Sequence, residues 1–186
     1  MVSSALVIVD VQNDYFTDGK FPLQGMAAAA ERAQRALEHA RSSQLAVFHV
    51  RHEIPVEGAP FFEPGTAGAE IHHLVAPDGD EPVVTKHYPN SFRETSLERQ
   101  LRDATIDEVV VVGAQSNMCI DATARAANDL GFKVRVLHDA CAAKEQRFDG
   151  VEIPADTVHR TFMAALVPAY ATVTTTEQFI DGSTGN

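Results

Sequence analysis

The sequence has little cysteine, no tryptophan and no long apolar segment. Its 186 residues include two cysteines, Cys119 and Cys141, which are too few for the disulfide framework of a small secreted domain. Every apolar run is far shorter than the roughly 20 residues that a membrane-spanning helix needs. The start of the chain lacks the basic residues and the cleavage site of a signal peptide. We therefore expect a cytoplasmic protein with reduced thiols that does not bind a membrane.

Positive charge is also scarce. The formal net charge is −11, which disfavours nucleic acid or an anionic membrane as a partner. With three tyrosines and no tryptophan, the chain offers little aromatic surface on which bases or sugars can stack. Its 45% hydrophobic content suits one domain with a sizeable core. We therefore expect a single domain over residues 1–186.

Apolar runs alternate with segments of helical periodicity along the chain. The pattern predicts strands at 5–9, 45–50, 83–85, 108–112, 133–137 and 170–174, and helices at 25–41, 95–104, 119–130 and 154–166. A possible capping box, Thr95 with Glu98, opens the second of these helices. The nearly continuous apolar strands indicate an α/β fold with a parallel sheet that helices cover on both faces.

Residues 53–81 break this alternation. They contain four prolines and four glycines, with Phe61 and Phe62 at the centre. A loop of this length in a compact domain is usually a lid, a binding loop or a subunit contact. The two phenylalanines are too apolar to sit free in water, so they cover the sheet edge, meet a neighbouring subunit or line a pocket.

Three reactive side chains fall directly after predicted strands. Asp10 follows the first strand, Lys86 the third and Cys119 the fourth. Ligands of an open parallel sheet collect at the carboxyl ends of its strands. Each residue alone is more often structural, but together they make a coherent nucleophilic site. In this site Asp10 accepts the thiol proton, and Lys86 stabilises both the carboxylate and the thiolate.

The segment around Cys119 adds to this interpretation. The strand ends in Gly113, and Cys119 stands at the predicted start of a helix rich in small residues. Backbone N–H groups and the positive end of a helix favour a thiolate. The N–H groups from Gln115 to Cys119 can also form an oxyanion hole for a tetrahedral intermediate.

These residues lie in motifs that resemble those of the isochorismatase-like cysteine hydrolases. The matching segments occur in the same order over nearly the whole chain: Asp10 with Gln12 and Asp14, then 85–92, 113–120 and 139–142. The resemblance implies a Rossmann-like three-layer sandwich with a mostly parallel sheet of about six strands. It also implies a catalytic triad of Asp10, Lys86 and Cys119.

The resemblance further implies how this site works. A cis peptide between Ala114 and Gln115 is expected to aim the N–H groups of Gln115 and Cys119 at the substrate oxygen. Members of the family commonly cleave C–N bonds of small amides through a thioester. They include nicotinamidases, N-carbamoylsarcosine amidohydrolase and isochorismatases proper. A cofactor-independent hydrolase of a small molecule is therefore expected, and relatives with this fold imply a homo-oligomer, either a dimer or a tetramer.

One departure from the family concerns metal binding. Nicotinamidases carry an Asp-x-His pair after the second strand, but here that strand runs into Val50-Arg51-His52-Glu53. His49 and His52 fall on opposite faces of an extended strand, so they cannot easily share one metal. We therefore expect no metal, which disfavours a nicotinamidase.

Further residues near the strand ends are candidate substrate contacts. Phe16 and Phe92 would form an apolar wall, and Gln12 would either contact substrate or brace the Asp10 loop. The full set of candidates is Gln12, Phe16, Tyr88, Phe92, Ser116 and Asn117.

Three functions remain open from the sequence. The first is a cysteine hydrolase that cleaves a small amide or carbamoyl compound. The second is an isochorismatase-type vinyl-ether hydrolase with Asp10 as the acid, and the third is a catalytically silent family member that acts as an interaction subunit. The intact triad of Asp10, Lys86 and Cys119 favours the first.

Overall fold

The computed structural model describes residues 2–182. Met1 and residues 183–186, which the single-domain prediction includes, lie outside the described residues. The strands are β1 (Ser4–Val9), β2 (Ala46–His52), β3 (Val83–Lys86), β4 (Glu108–Ala114), β5 (Lys133–Ala142), β6 (Gln146–Phe148), β7 (Val151–Ile153) and β8 (Thr172–Thr174). The helices are α1 (Met26–Ser42), α2 (Leu97–Asp103), α3 (Asp121–Asp129), α4 (Ala155–Leu166) and α5 (Thr176–Ile180).

The central sheet has six strands in the order β3-β2-β1-β4-β5-β8. Every neighbouring pair in this sheet is parallel. The Rossmann-like fold predicted from the sequence is therefore confirmed. Among the described residues, no helix is long and apolar enough to cross a membrane.

Helices cover both faces of the sheet because alternate residues of each central strand point in opposite directions. Leu6 and Ile8 of β1 pack in one core with α1 and α5. Val7 and Val9 of the same strand pack in a second core with α2, α3 and α4. Full burial of one such side chain contributes about 1.5–3 kcal/mol to folding. The two cores hold the sheet as the middle of three layers, which leaves its carboxyl edge as the place for a site.

Some elements differ from the prediction. The strand predicted at 133–137 continues to Ala142, with a register shift against β4 between Val111 and Gly113. The hairpin of β6 and β7 and the helix α5 were not predicted. The predicted capping box of Thr95 with Glu98 does not form, because the N-cap of α2 is Ser96, which makes no side-chain capping bond; the Oγ1 of Thr95 accepts a hydrogen bond of 3.3 Å from the Leu97 N–H. A capping box instead opens α5 at Thr175.

The 53–81 loop folds onto its own domain. Phe62 is fully buried, and its ring packs 4.6 Å from the ring of Tyr15, measured between centroids. The buried carboxylate of Asp14 accepts a hydrogen bond of 2.7 Å from the Phe62 N–H. Gly68 lies so close to this carboxylate that a Cβ atom there would meet it at 2.2 Å. The loop therefore packs against, and is hydrogen-bonded to, the segment that follows Asp10.

Candidate active site

Four strands end at the same edge of the sheet, and a reactive side chain lies at each end. Asp10 follows β1, His52 ends β2, Lys86 ends β3, and the turn with Cys119 follows β4. The strand order places β1 beside β4, at the point where the order along the sheet reverses. Open parallel sheets bind their ligands at such a switch point. His52 is also paired with Lys86 in the register of β2 and β3.

The close approach of β1 and β4 at this edge depends on Gly113. Its φ is +125°, and a Cβ atom there would lie 1.8 Å from the backbone oxygen of Val9. Any side chain at this position would therefore force the two strands apart. The glycine allows the turn that carries Cys119 to begin beside the turn that carries Asp10.

The ammonium of Lys86 is the centre of the site. Its Nζ lies 2.7 Å from Asp10 Oδ2, 2.9 Å from His52 Nδ1, 3.1 Å from the backbone oxygen of Tyr88 and 3.2 Å from Cys119 Sγ. Lys86 and Asp10 have no exposed surface, and Cys119 is 4% exposed. Because a buried charge is costly unless it is paired, this ring of acceptors is what keeps the ammonium charged.

Asp10 is held as a carboxylate. Burial raises the pKa of its carboxyl, but the Lys86 ammonium, together with His52 and Cys119, outweighs burial and holds that pKa below its usual range. The backbone of Asp10 adopts a φ of +53°, which residues other than glycine seldom do. Its Oδ1 is buried and accepts no hydrogen bond from the described residues. This oxygen is therefore free to receive a proton.

The thiol of Cys119 is protonated in the resting site. Burial raises its pKa, the Asp10 charge raises it further, and Lys86 offsets only part of the increase. The sequence predicts that a helix N-terminus favours the thiolate, and this prediction is wrong. Instead, Cys119 lies inside a π-helical turn, Ser116–Ile120, that precedes α3, and it is within hydrogen-bond reach of the Asp10 carboxylate. Desolvation and the carboxylate outweigh the effect of the nearby helix.

The turn before Cys119 has the backbone that the resemblance implied. The Ala114–Gln115 peptide bond is cis. The Gln115 carbonyl accepts hydrogen bonds of 3.0 Å and 3.1 Å from the N–H groups of Met118 and Ile120, which close the turn. The predicted oxyanion donors, the N–H groups of Gln115 and Cys119, belong to this turn, and their role stays a prediction.

Comparisons with known proteins agree with this geometry. A sequence model of the isochorismatase domain matches residues 4–178. The chain belongs to the isochorismatase family. A crystal structure of an isochorismatase hydrolase from Oleispira antarctica is 49% identical, with a TM-score of 0.94 and 97% of each chain covered.

Two curated proteins are also similar to this chain. The uncharacterized protein YddQ of Bacillus subtilis is 45% identical, over 96% of this chain and 99% of its own length. The maleamate amidohydrolase of Pseudomonas putida is 33% identical, over 73% of this chain and 70% of its own length. Together with the family match, these relatives show that the chain is an isochorismatase-family hydrolase.

Two of the predicted substrate contacts make internal hydrogen bonds in this isochorismatase-family protein. Gln12 is fully buried, and its amide bonds the backbone N–H and C=O of His52, both at 2.8 Å, and the carbonyl of Ala69 at 2.7 Å. Ser116 is also fully buried and bonds His159 Nδ1 at 2.7 Å and the Ala142 carbonyl at 3.2 Å. Both side chains brace the loops, and their contact with a substrate stays a prediction.

The aromatic candidates lie around the site in different surroundings. Phe16 stacks on His72, with 3.6 Å between ring centroids, rather than on a triad residue. The ring of Tyr88 lies under the guanidinium of Arg93 at 3.7 Å, while its carbonyl binds the ammonium. Phe92 packs against the second core. These contacts assign structural roles to all three rings and leave their contact with substrate as a prediction.

Asn117 is the predicted contact with an unused polar atom. Its Oδ1 is buried and has no hydrogen-bond partner among the described residues. It stands two positions before Cys119 in the same π-helical turn. A buried acceptor without a partner is unfavourable, so a substrate N–H is a suitable partner for it.

Two residues of the site were missed from the sequence. His52 was overlooked because β2 was predicted to end at Val50, and the two additional residues carry His52 to the carboxyl edge. Tyr15 follows the Asp10 loop, and its hydroxyl accepts a hydrogen bond of 3.3 Å from Gln115 Nε2. Burial, with Cys119 and Asp10 nearby, raises the pKa of Tyr15, so its hydroxyl is a neutral donor. For both residues, the available sequence signal was their closeness along the chain to the end of a predicted strand.

Metal binding at this site would involve Asp10, His52 and Cys119. One ligand atom of each lies within 4.8 Å of the others. However, the Lys86 ammonium is within 3.2 Å of all three side chains, so a metal ion would have to displace it. His49 does not join this group, because its Nε2 bonds Glu81 at 2.8 Å. The expectation that no metal is bound stays a prediction.

Proposed function

We propose that this isochorismatase-family hydrolase cleaves the C–N bond of a small amide or carbamoyl compound through a thioester on Cys119. The observation that carries the proposal is the contact of a carboxylate, an ammonium and a thiol in one buried site. Asp10 Oδ2 is 2.7 Å from Lys86 Nζ, which is 3.2 Å from Cys119 Sγ. A thiol needs a base beside it to become a nucleophile, and Asp10 is such a base.

The first half of the reaction forms the thioester. Cys119 Sγ attacks the carbonyl carbon while its proton moves to Asp10. The N–H groups of Gln115 and Cys119 stabilise the resulting oxyanion, and loss of one such donor typically costs about 3–4 kcal/mol of barrier height. Asp10 then donates its proton to the substrate nitrogen, the C–N bond breaks, and the amine leaves.

The second half regenerates the enzyme. A water molecule attacks the thioester carbonyl, and Asp10 takes one of its protons. The C–S bond breaks, the acid product leaves, and the proton on Asp10 returns to the thiolate. Lys86 remains protonated throughout, because both partners that carry negative charge during the cycle lie within its reach.

The surroundings of the thiol support a small substrate. Cys119 is 4% exposed, and Phe62 of the 53–81 loop lies fully buried near the site, with its ring 6.0 Å from that of His52. The family relation to a maleamate amidohydrolase also supports amide chemistry. The substrate class is thus a compound of few atoms that carries an amide or carbamoyl group.

The test compares Cys119→Ala with Cys141→Ala as a matched control, because Cys141 is the other buried cysteine. Both variants are screened with the wild-type protein for ammonia release from small amides and carbamoyl compounds. We expect Cys119→Ala to lose at least about 10³-fold of the turnover, since the nucleophile is absent. Cys141→Ala should keep its activity, and intact-mass spectrometry should show an acyl adduct on the wild-type protein during turnover.

Other outcomes would indicate the other candidate functions. If Cys119→Ala folds and keeps most of the ammonia release, the thioester mechanism is wrong. If neither the wild-type protein nor Cys119→Ala releases ammonia but both hydrolyse a vinyl ether, Asp10-catalysed vinyl-ether hydrolysis is favoured. If the wild-type protein releases no ammonia and its Cys119 is also inert to alkylating reagents, the proposal fails and the interaction subunit is favoured.

A further inference from the structure

We propose that His52 is a positioning residue that holds the Lys86 ammonium in place for thiol activation. Its Nδ1 accepts one ammonium N–H, and this keeps another N–H directed at the sulfur of Cys119 while the ammonium stays paired with the carboxylate of Asp10. The inference rests on the proposed function and adds a fourth side chain to the triad.

The protonation of His52 follows from the contact itself. An ammonium is a donor without an acceptor site, so a short contact with it requires a lone pair on the imidazole nitrogen. His52 Nδ1 lies 2.9 Å from Lys86 Nζ but 3.7 Å from Asp10 Oδ2 and 3.9 Å from Cys119 Sγ. The short contact is therefore the hydrogen bond. The ring therefore presents the lone pair of Nδ1 to the ammonium.

The Lys86 ammonium has fewer N–H groups than it has acceptors around it, so the imidazole of His52 affects how they are used. The ammonium has three N–H groups. Four acceptors surround it: the carboxylate of Asp10, the imidazole of His52, the carbonyl of Tyr88 and the sulfur of Cys119. His52 and Tyr88 do not change charge in the proposed reaction, so they anchor two N–H groups. The third N–H is directed at Cys119 Sγ, and Asp10 Oδ2 is paired with the ammonium by charge at 2.7 Å without a hydrogen bond among the described residues.

His52 is itself held firmly enough to act as an anchor. Gln12 bonds its backbone on both sides, because Gln12 Oε1 accepts from the His52 N–H and Gln12 Nε2 donates to the His52 carbonyl, each at 2.8 Å. The strand register sets His52 beside Lys86. The side chain is 13% exposed. This fixed backbone defines where Nδ1 lies relative to the ammonium.

The test replaces His52 with residues that keep or remove the acceptor. In His52→Asn the amide oxygen can occupy the place of Nδ1, whereas His52→Leu has no acceptor. His52→Gln, whose amide is one carbon farther from the backbone, provides a second variant in case the leucine variant does not fold. His87→Asn is the matched control, because His87 is an exposed histidine near the site that bonds the Glu53 carbonyl instead.

The readout is the rate constant for alkylation of Cys119 by iodoacetamide at pH 7.5, measured by peptide mass spectrometry that separates it from Cys141. We expect His52→Leu and His52→Gln to lower the rate by about tenfold or more, because a hydrogen bond to a charged group is lost. His52→Asn should recover most of that loss, and His87→Asn should match the wild-type protein. With a substrate in hand, kcat should fall in His52→Leu while KM stays unchanged.

The results separate this inference from the proposed function. If His52→Leu and His52→Gln react as fast as the wild-type protein, the positioning role is wrong, while a reactive wild-type Cys119 still supports the proposed function. If His52→Asn is as slow as His52→Leu, the imidazole acts through Nε2 and the inference is also overturned. If wild-type Cys119 reacts no faster than Cys141, the proposed function itself fails.

Discussion

Replacing Lys86 with methionine tests whether the buried charge pair is the electrostatic centre of the site. Methionine fills a similar volume without a charge, so Asp10 loses the ammonium at 2.7 Å. Removing one partner of a buried pair typically costs about 3–5 kcal/mol of unfolding free energy when the other partner stays charged. We expect a loss of this size near pH 8, and a smaller loss at lower pH, where Asp10 escapes the penalty by binding a proton.

The pH dependence follows from the pKa of Asp10. In the wild-type protein its pKa is lowered, so the pair stabilises the fold above the unfolded pKa of about 3.9, and this stabilisation disappears as the pH falls through the folded value. In Lys86→Met, burial, the largest influence, is opposed only by the contacts with His52 and Cys119, and we expect the folded pKa to rise. The native variant then binds a proton that the unfolded chain releases, so its stability falls as the pH rises toward the raised pKa. The slope is about 1.4 kcal/mol per pH unit.

Urea unfolding followed by far-UV circular dichroism measures this difference, since the chain has no tryptophan to serve as a fluorescent reporter. Wild-type protein and Lys86→Met are compared at each half unit from pH 5 to pH 8. The double variant Asp10→Asn/Lys86→Met is the control, because it retains His52 but has no carboxyl to titrate at position 10. A stability difference between Lys86→Met and this control that does not change with pH would refute the reasoning.

Three other predictions concern the framework of the site and the assembly of the chain. Gly113→Ala should lower the unfolding free energy by more than about 4 kcal/mol or prevent folding, as measured by thermal denaturation, because the added Cβ atom would overlap the Val9 oxygen; a fully stable variant would contradict this. Burial raises the pKa of Glu81, but hydrogen bonds, first that from Arg41, outweigh it and lower this pKa to about 2. Glu81→Gln should therefore destabilise the protein at pH 7, and the difference in urea midpoint should fade between pH 4.5 and pH 2; a difference that persisted at pH 2 would count against it. Light scattering should find a dimer or a tetramer, and a monomer at micromolar concentration would exclude the expected homo-oligomer.

Most of the sheet could be predicted because its strands are continuous apolar runs. The run from Val109 to Val112, for example, is apolar at every position, which predicts a central strand buried on both faces of the sheet. The meeting of Asp10, Lys86 and Cys119 followed from one rule about strand ends. Features that depend on contacts between residues distant in sequence were harder to predict. The hairpin of β6 and β7 is mostly exposed, so its sequence lacks the alternation of apolar and polar residues that predicts a strand.

The site was harder to predict where position depends on one or two residues. His52 belongs to the site because β2 continues past Val50, and strand ends are the least certain part of a sequence pattern. Gln12 is a polar residue next to the Asp10 position, which predicts a substrate contact. Its side chain makes three hydrogen bonds to backbone groups that are distant in the sequence. The pKa of Cys119 depends on how deeply neighbouring loops bury it. Sequence spacing contains no measure of that depth.

The raised pKa of Cys119 is compatible with its role as the nucleophile because the proton does not leave the site. A pKa measures proton release to solvent, and release would leave the buried group of Asp10, Lys86 and Cys119 with a net negative charge. Burial opposes that change strongly. Transfer from Cys119 to Asp10 instead keeps the net charge at zero, and the ammonium faces one negative partner before the transfer and one after it. The step costs little desolvation, because the ammonium already donates to the sulfur at 3.2 Å and lies 2.7 Å from the carboxylate that receives the proton. The buried thiol of high pKa and the fixed lysine therefore act together. The thiol proton moves to Asp10, which holds it until the leaving amine needs it.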